Sequence, residues 1–306
     1  MTDEAPPLRI WLYPIPAVLT IVLLFLYYCY SSYGPYARVV ALSNKNLENA
    51  LIENTRDTSV LSIVILGSSL TEYAFVDPEG IEDSIFQLTN KKTKVLRVAL
   101  NFMDMDVAKR IDFFDYISKY PPNYLFLENF SFNISRSDTT ALIPDPVNAA
   151  LLQVRNYIRS AIGMETHDNY YTKWYTFDVK PGNEFYTDEF DSVTFNSLLQ
   201  AKKSLVRKAT QNSVANNAYD VLMKRNTKVV FLDMPMHNQF PHNFLDQRST
   251  SELNRVLQFY KIQYRVDYWQ FPYVMDNSSY IDGAHFNSKG AMEYQKWFVS
   301  QIASKK

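Results

Sequence analysis

Four short apolar runs alternate with longer stretches patterned as helices. The runs are residues 60–66 (VLSIVIL), 95–100 (VLRVAL), 124–127 (YLFL) and 228–232 (KVVFL). A weaker fifth lies at 264–269 (YRVDYW). Runs this short, bounded by polar residues, are the pattern of buried strands, and strands that alternate with helices build a parallel sheet covered on both faces. Helical spacing is predicted at about 79–90, 105–119, 148–162, 196–225, 251–261 and 288–303, the last opened by Asn287 as a cap. The expected fold is therefore α/β: three layers, α/β/α, around a mostly parallel five-stranded sheet. Residues 163–195 break the alternation. They are rich in Tyr, Asp and Gly, and predict an irregular insertion over one end of the sheet, either a lid or a solvated excursion.

The N-terminal part follows another logic. Residues 10–30, IWLYPIPAVLTIVLLFLYYCY, carry no charged side chain. At about 1.5 Å per helical residue they span roughly 30 Å, the thickness of a bilayer core. Trp11 and Tyr13 at one end, and Tyr27, Tyr28 and Tyr30 at the other, suit the two membrane interfaces. Pro14 and Pro16 fall in the first turns, where proline disturbs a helix least. No small-residue cleavage site follows cleanly, and Cys29 is preceded by Tyr27 and Tyr28 rather than the small residues of a lipoprotein signal. A retained single transmembrane helix is expected, between a tail at 1–9 and a juxtamembrane helix or linker at 31–58. That linker has apolar positions at Val39, Val40, Leu47, Leu51 and Ile52, and is expected to lift a globular domain, residues 59–306, off the membrane. Arg9, Arg38 and Lys45 leave the charge rule undecided; the short tail favours a cytoplasmic N-terminus. With a formal net charge of −1 and no Lys/Arg block, nucleic acid is excluded as an electrostatic partner. The single cysteine excludes an internal disulfide and a cysteine-based zinc cluster.

The chemistry-bearing stretches lie at opposite ends of the globular part. The first apolar run ends in GSSLT, residues 67–71, a turn that places Ser68 and Ser69 directly after a strand. It is not the G-x-S-x-G elbow, since Thr71 stands where the second glycine would be. The second stretch, YIDGAHFNSKGAMEY at 280–294, puts Asp282 and His285 three apart in a polar loop just before the final helix. A carboxylate at that spacing can accept from the imidazole Nδ1–H, which leaves Nε2 free as a base.

Together the two stretches resemble the SGNH (GDSL-like) hydrolase family over about residues 59–306. GSSLT is similar to that family's first block and DGAHFNSKG, residues 282–290, to its last. The resemblance implies an SGNH, flavodoxin-like sheet, with Ser69 as nucleophile, His285 as base and Asp282 as the group that orients it. It implies no cofactor and no metal. The middle blocks of the family supply the oxyanion hole. Here RVALNFMDMD, residues 97–106, has no glycine, so Ala99 or the loop from Asn101 to Asp104 would present a backbone N–H. In LFLENFSFN, Asn129 is the candidate side-chain donor and Asn133 the reserve, while Glu128 falls where a glycine is expected. Either asparagine could instead be a turn residue bonding its own backbone.

TEYAFVDPEGIEDSIF, residues 71–86, also resembles the envelope-associated branch of the family, whose members sit behind one N-terminal anchor. That resemblance implies a serine esterase or O-acyltransferase acting on acyl esters, acetyl foremost, of an envelope polysaccharide or glycolipid, with the domain on the extracytoplasmic side. The alternative is a non-catalytic, glycan-binding assembly subunit that partners a multi-pass membrane acyltransferase. His237, in DMPMHNQF after the fourth run, would lie at the sheet edge where ligands bind, as a substrate contact or as an exposed loop residue. Asp104 and Asp106 read as helix-start carboxylates rather than metal ligands. Tyr170, Tyr171, Tyr175 and Tyr186 could stack on sugars or pack in a core.

Overall fold

The computed structural model describes residues 13–100, 103, 105–136, 162, 189–201, 207–209, 216–238 and 247–305. The chain divides into two compact units, residues 1–42 with 143–175 and residues 43–142 with 176–306. In the first unit the described part is chiefly the start of helix α1 (Pro14–Thr55), opened by Pro14 and Pro16 in its first turn. Ile15, Leu19, Ile21, Leu23, Leu24 and Leu26 are exposed along it. Among the described residues no helix is long and apolar enough to cross a membrane. Residues 10–12 of the predicted span lie outside the described residues, as do the side chains of residues 28–30.

The second unit is built on strands β1 (Leu61–Gly67), β2 (Thr93–Ala99), β3 (Tyr124–Glu128), β4 (Ile134–Arg136), β5 (Arg207–Ala209), β6 (Lys228–Leu232) and β7 (Asp267–Trp269). Five of them form one all-parallel sheet in the order β2-β1-β3-β6-β7, so the fold is α/β as expected. From β1 the chain steps outward to β2 and then returns to the other side of β1 to lay down β3. That reversal opens a crevice beyond the carboxyl ends of β1 and β3, where ligands bind in open α/β sheets. The remaining pair, β4 and β5, is antiparallel and was not expected. It brings residues 134–136 beside 207–209, so the chain between them leaves and returns at one place.

The strands read as continuous apolar runs because both faces are covered. Val64, Leu66, Val98, Leu125, Leu127 and Phe231 pack on one side with α4 (Met105–Arg110), α5 (Phe113–Lys119), α8 (Asn216–Lys224) and α9 (Gln247–Tyr264). Their neighbours in sequence, Ile63, Ile65, Phe126, Val230 and Leu232, pack on the other side with α2 (Ser69–Ala74), α3 (Pro78–Thr89) and α10 (Ser288–Ser304). Two shorter helices complete the unit, α6 (Asn129–Asn133) and α7 (Ser192–Ala201).

Several expectations need correction. The 31–58 stretch is more than a linker: Leu47 and Leu51 are buried in the sheet's core, and Asn54 Nδ2 donates to Lys94 O at 3.2 Å. The pattern over 105–119 is two helices, because Asp112 adopts φ 53°, a left-handed conformation that ends one and starts the other. The predicted helix at 196–225 is α7, β5 and α8 in succession. The predicted helix at 148–162 and most of the 163–195 insertion lie outside the described residues.

Two details fix the turn after β1. Arg97 breaks the apolar run of β2 yet is buried, because its Nη1 donates to Glu72 O at 3.1 Å and Phe75 O at 2.8 Å, closing the end of α2. Gly67 has no room for a side chain. A Cβ there would lie 1.9 Å from Thr71 Oγ1 and 2.6 Å from Glu128 Oε2, both held by hydrogen bonds. Gly67→Ala is expected to destabilise the fold by about 1–3 kcal/mol, the usual scale of overpacking; an unchanged urea midpoint would show that the turn can yield.

Candidate active site

Ser69 opens α2 at the carboxyl end of β1. Ser68 caps that helix in an extended conformation, its Oγ accepting from Leu70 N–H. Ser69 is half-buried, and its Oγ lies 2.8 Å from His285 Nε2.

The histidine is delivered by a closed loop. Tyr280 and Phe286 pair as an antiparallel bridge, and Ile281 N–H donates to His285 O at 3.0 Å. Inside the loop Asp282 Oδ1 accepts from Ala284 N–H at 2.7 Å and His285 N–H at 2.8 Å, a side-chain turn that leaves Oδ2 for the ring. Asp282 Oδ2 lies 2.8 Å from His285 Nδ1. Asn287 then caps α10 by accepting from Gly290 N–H at 3.1 Å, and its Nδ2 ties the cap to Ser278 O. Gly290 is needed because a Cβ would meet Ser279 O at 2.2 Å. DGAHFNSKG is thus one device: a carboxylate that shapes the loop and aims the ring, then a cap and a close-packed glycine that dock it.

Burial pushes the Asp282 carboxyl up, but the hydrogen bond and charge of His285, with the His285 and Ala284 N–H groups, outweigh it and hold the group below the usual carboxylate range. Glu72, one turn beyond Ser69, is shifted the other way. Burial raises it, only partly opposed by Arg97 and His285. The Tyr73 ring rests against His285, centroids 4.8 Å apart.

The opposite wall comes from the end of β3, beside β1 in the sheet. Glu128 is fully buried and accepts from Ser68 N–H at 2.8 Å and Thr71 N–H at 3.3 Å. With Leu70 N–H on Ser68 Oγ, Ser69 N–H is the amide of this turn for which the described residues supply no acceptor. Asn129, the next residue after Glu128, is also fully buried. Its Oδ1 accepts from Asn133 Nδ2 at 3.0 Å, while its own Nδ2 has no hydrogen-bond partner among the described residues. A buried amide left unpaired is unfavourable and calls for an explanation.

The other candidates divide. Ala99 ends β2 opposite Gly67, at the rim of the same crevice. Asn101 and Asp104 lie outside the described residues, as do Tyr170, Tyr171, Tyr175, Tyr186 and the side chain of Asp106. His237 is not an exposed loop residue. It is 5% exposed, ringed by Phe190, Phe195 and Tyr280, and its N–H donates to Gly283 O at 3.1 Å. Burial lowers its pKa. It braces the Asp282–His285 loop from behind, as does Asp191, whose N–H donates to Ile281 O at 2.6 Å.

Two contributors were not singled out from sequence. Tyr73 carried no signal beyond its place four residues after Ser69, on the same helix face. Glu128 did carry one: a charged residue closing an apolar strand must find donors if it is buried, and Ser68 and Thr71 of GSSLT, with Ser131, are those donors.

No protein-family model matches this chain, and no curated protein matches it at a significant level.

Proposed function

We propose that this chain is a serine esterase or O-acyltransferase of the SGNH type, working on acyl esters through Ser69, His285 and Asp282. The observation that carries the reading is the unbroken line from Ser69 Oγ to His285 Nε2, 2.8 Å, and from His285 Nδ1 to Asp282 Oδ2, 2.8 Å. Asp282 holds the tautomer with its proton on Nδ1, so Nε2 can take the hydroxyl proton as Ser69 Oγ attacks an ester carbonyl. The carbonyl oxygen becomes an oxyanion, for which Ser69 N–H and Asn129 Nδ2 are donors left without an acceptor among the described residues; each such donor is worth about 3 kcal/mol. Collapse expels the alcohol, which takes its proton from His285. The acyl-serine is then resolved by water, giving hydrolysis, or by a sugar hydroxyl, giving transfer, with His285 again as base.

The resemblance of GSSLT and DGAHFNSKG to the SGNH blocks, together with the sheet order, supports the family. The looser resemblance of residues 71–86 supports an envelope polysaccharide or glycolipid as the acyl carrier, and a domain outside the cytoplasm.

The anchor belongs to the same reading. Residues 10–30 carry no charged side chain, and apolar side chains from Ile15 to Leu26 are exposed. The full chain is expected to stay with membranes through an alkaline carbonate wash; release into the supernatant would remove the anchor.

The deciding experiment treats the full-length protein with a fluorophosphonate and, separately, with an acetyl ester, beside Ser69→Ala. Labelling at Ser69 with turnover of the ester supports hydrolysis. Labelling without turnover supports obligatory transfer. A folded chain that is not labelled would leave the assembly-subunit alternative, in which the fold binds a glycan for a membrane acyltransferase.

A further inference from the structure

Glu128 is fully buried, and the proposed chemistry gives it no role. No ion pair among the described residues includes it. Its partners are all neutral. Oε2 accepts from Ser68 N–H, Thr71 N–H and, at 2.7 Å, the Thr71 hydroxyl. Oε1 accepts from the Ser68 hydroxyl at 2.8 Å and the Ser131 hydroxyl at 2.5 Å. An apolar side chain would fill this place at lower cost if packing were all that mattered, because a buried carboxyl needs every oxygen satisfied. The bonds are not scattered. Four of the donors belong to Ser68 and Thr71, the residues that bracket Ser69 and Leu70.

We propose that Glu128 is a positioning residue for Ser69, an inference that rests on the serine chemistry above. By gripping the turn from both sides it fixes the backbone at Ser69, which sets Ser69 Oγ within reach of His285 Nε2. It also engages the neighbouring amides, so that Ser69 N–H stays unoccupied and faces the substrate. Ser68, held by the same carboxyl through both N–H and hydroxyl, is part of the clamp and not a second nucleophile. Gly67 belongs to it as well: the close approach of Thr71 and Glu128 fills the space its side chain would need.

The test compares Glu128→Ala and Glu128→Gln in the full-length protein, by ester turnover, rate of fluorophosphonate labelling and unfolding midpoint. Glutamine keeps the shape and one oxygen for the Ser68 and Thr71 N–H groups, and the hydroxyls of Ser68 and Ser131 can turn to accept from its amide. The alanine variant is expected to lose roughly 10²-fold in kcat with KM near the wild-type value, the loss that about 1 Å of misplacement produces. Glutamine is expected to recover most of that loss. A folded alanine variant with wild-type kcat overturns the proposal, and so does an equal loss in both variants, which would assign the effect to charge rather than grip. If the alanine variant does not fold, Thr71→Val carries the test, since it removes one Oε2 donor at nearly constant shape. A several-fold fall in its kcat is expected, and an unchanged kcat overturns the proposal. Wild-type protein inert to both reagents would defeat the serine chemistry itself, and this inference with it; wild-type and Glu128→Ala labelled at one rate would defeat this inference alone.

Discussion

Ser69→Ala is expected to lower ester turnover by roughly 10⁶-fold, the loss typical of removing the nucleophile from a Ser-His-Asp site, and to abolish fluorophosphonate labelling. The change removes one oxygen from a half-buried position and leaves the Glu128 bonds to Ser68 and Thr71 in place, so the fold should be preserved. Ser68→Ala makes the informative contrast. Ser68 Oγ is committed to Glu128 and to Leu70 N–H, so losing it loosens the turn but leaves the proposed nucleophile, Ser69 Oγ, present. Turnover that survives in the Ser69 variant and vanishes in the Ser68 variant would reverse the register of the motif.

The second large effect is expected at Asp282→Asn, a fall of about 10⁴-fold in kcat in a protein that still folds. The amide oxygen can keep the Ala284 and His285 N–H groups, so the loop survives. Its nitrogen, placed where Oδ2 now lies, donates to Nδ1 and forces the imidazole proton onto Nε2, facing Ser69 with no lone pair to offer. The same carboxyl has a pH signature. Its folded-state pKa is held below the ordinary value, near 4 in an unfolded chain. The unfolded chain therefore binds the proton more readily, and the stabilisation is present above about pH 4 and lost as pH falls through the lowered value. The gap in urea midpoint between wild type and Asp282→Asn should narrow from pH 7 to pH 3. A gap constant with pH would mean that Asp282 contributes to folding only as a hydrogen-bonding shape.

Much of this was legible in the chain. Apolar runs at 60–66, 124–127 and 228–232 announced strands because a sheet covered on both faces needs them, and Asp282, His285 and Asn287 announced a loop and a cap by their spacing alone. What was hidden depended on contacts distant in sequence. Arg97 reads as a flaw in β2 until its carbonyl partners on α2 are seen. Glu128 reads as a misplaced charge until GSSLT folds over it. Leu47 and Leu51 looked like one face of a spacer helix, since periodicity tells which side is buried and not what buries it. His237 misled for the opposite reason: loops are mostly exposed, and nothing local foretold that Phe190 and Phe195 would enclose it.

In order of synthesis, the hydroxyl is made with the first strand of the sheet and the imidazole only after the last. In the proposed reading a ribosome-bound chain thus holds an ordinary serine, unarmed, until every strand has been laid down and the segment before α10 has emerged. Reactivity would then arrive in one step, once that segment is made, as a mark that the domain is whole.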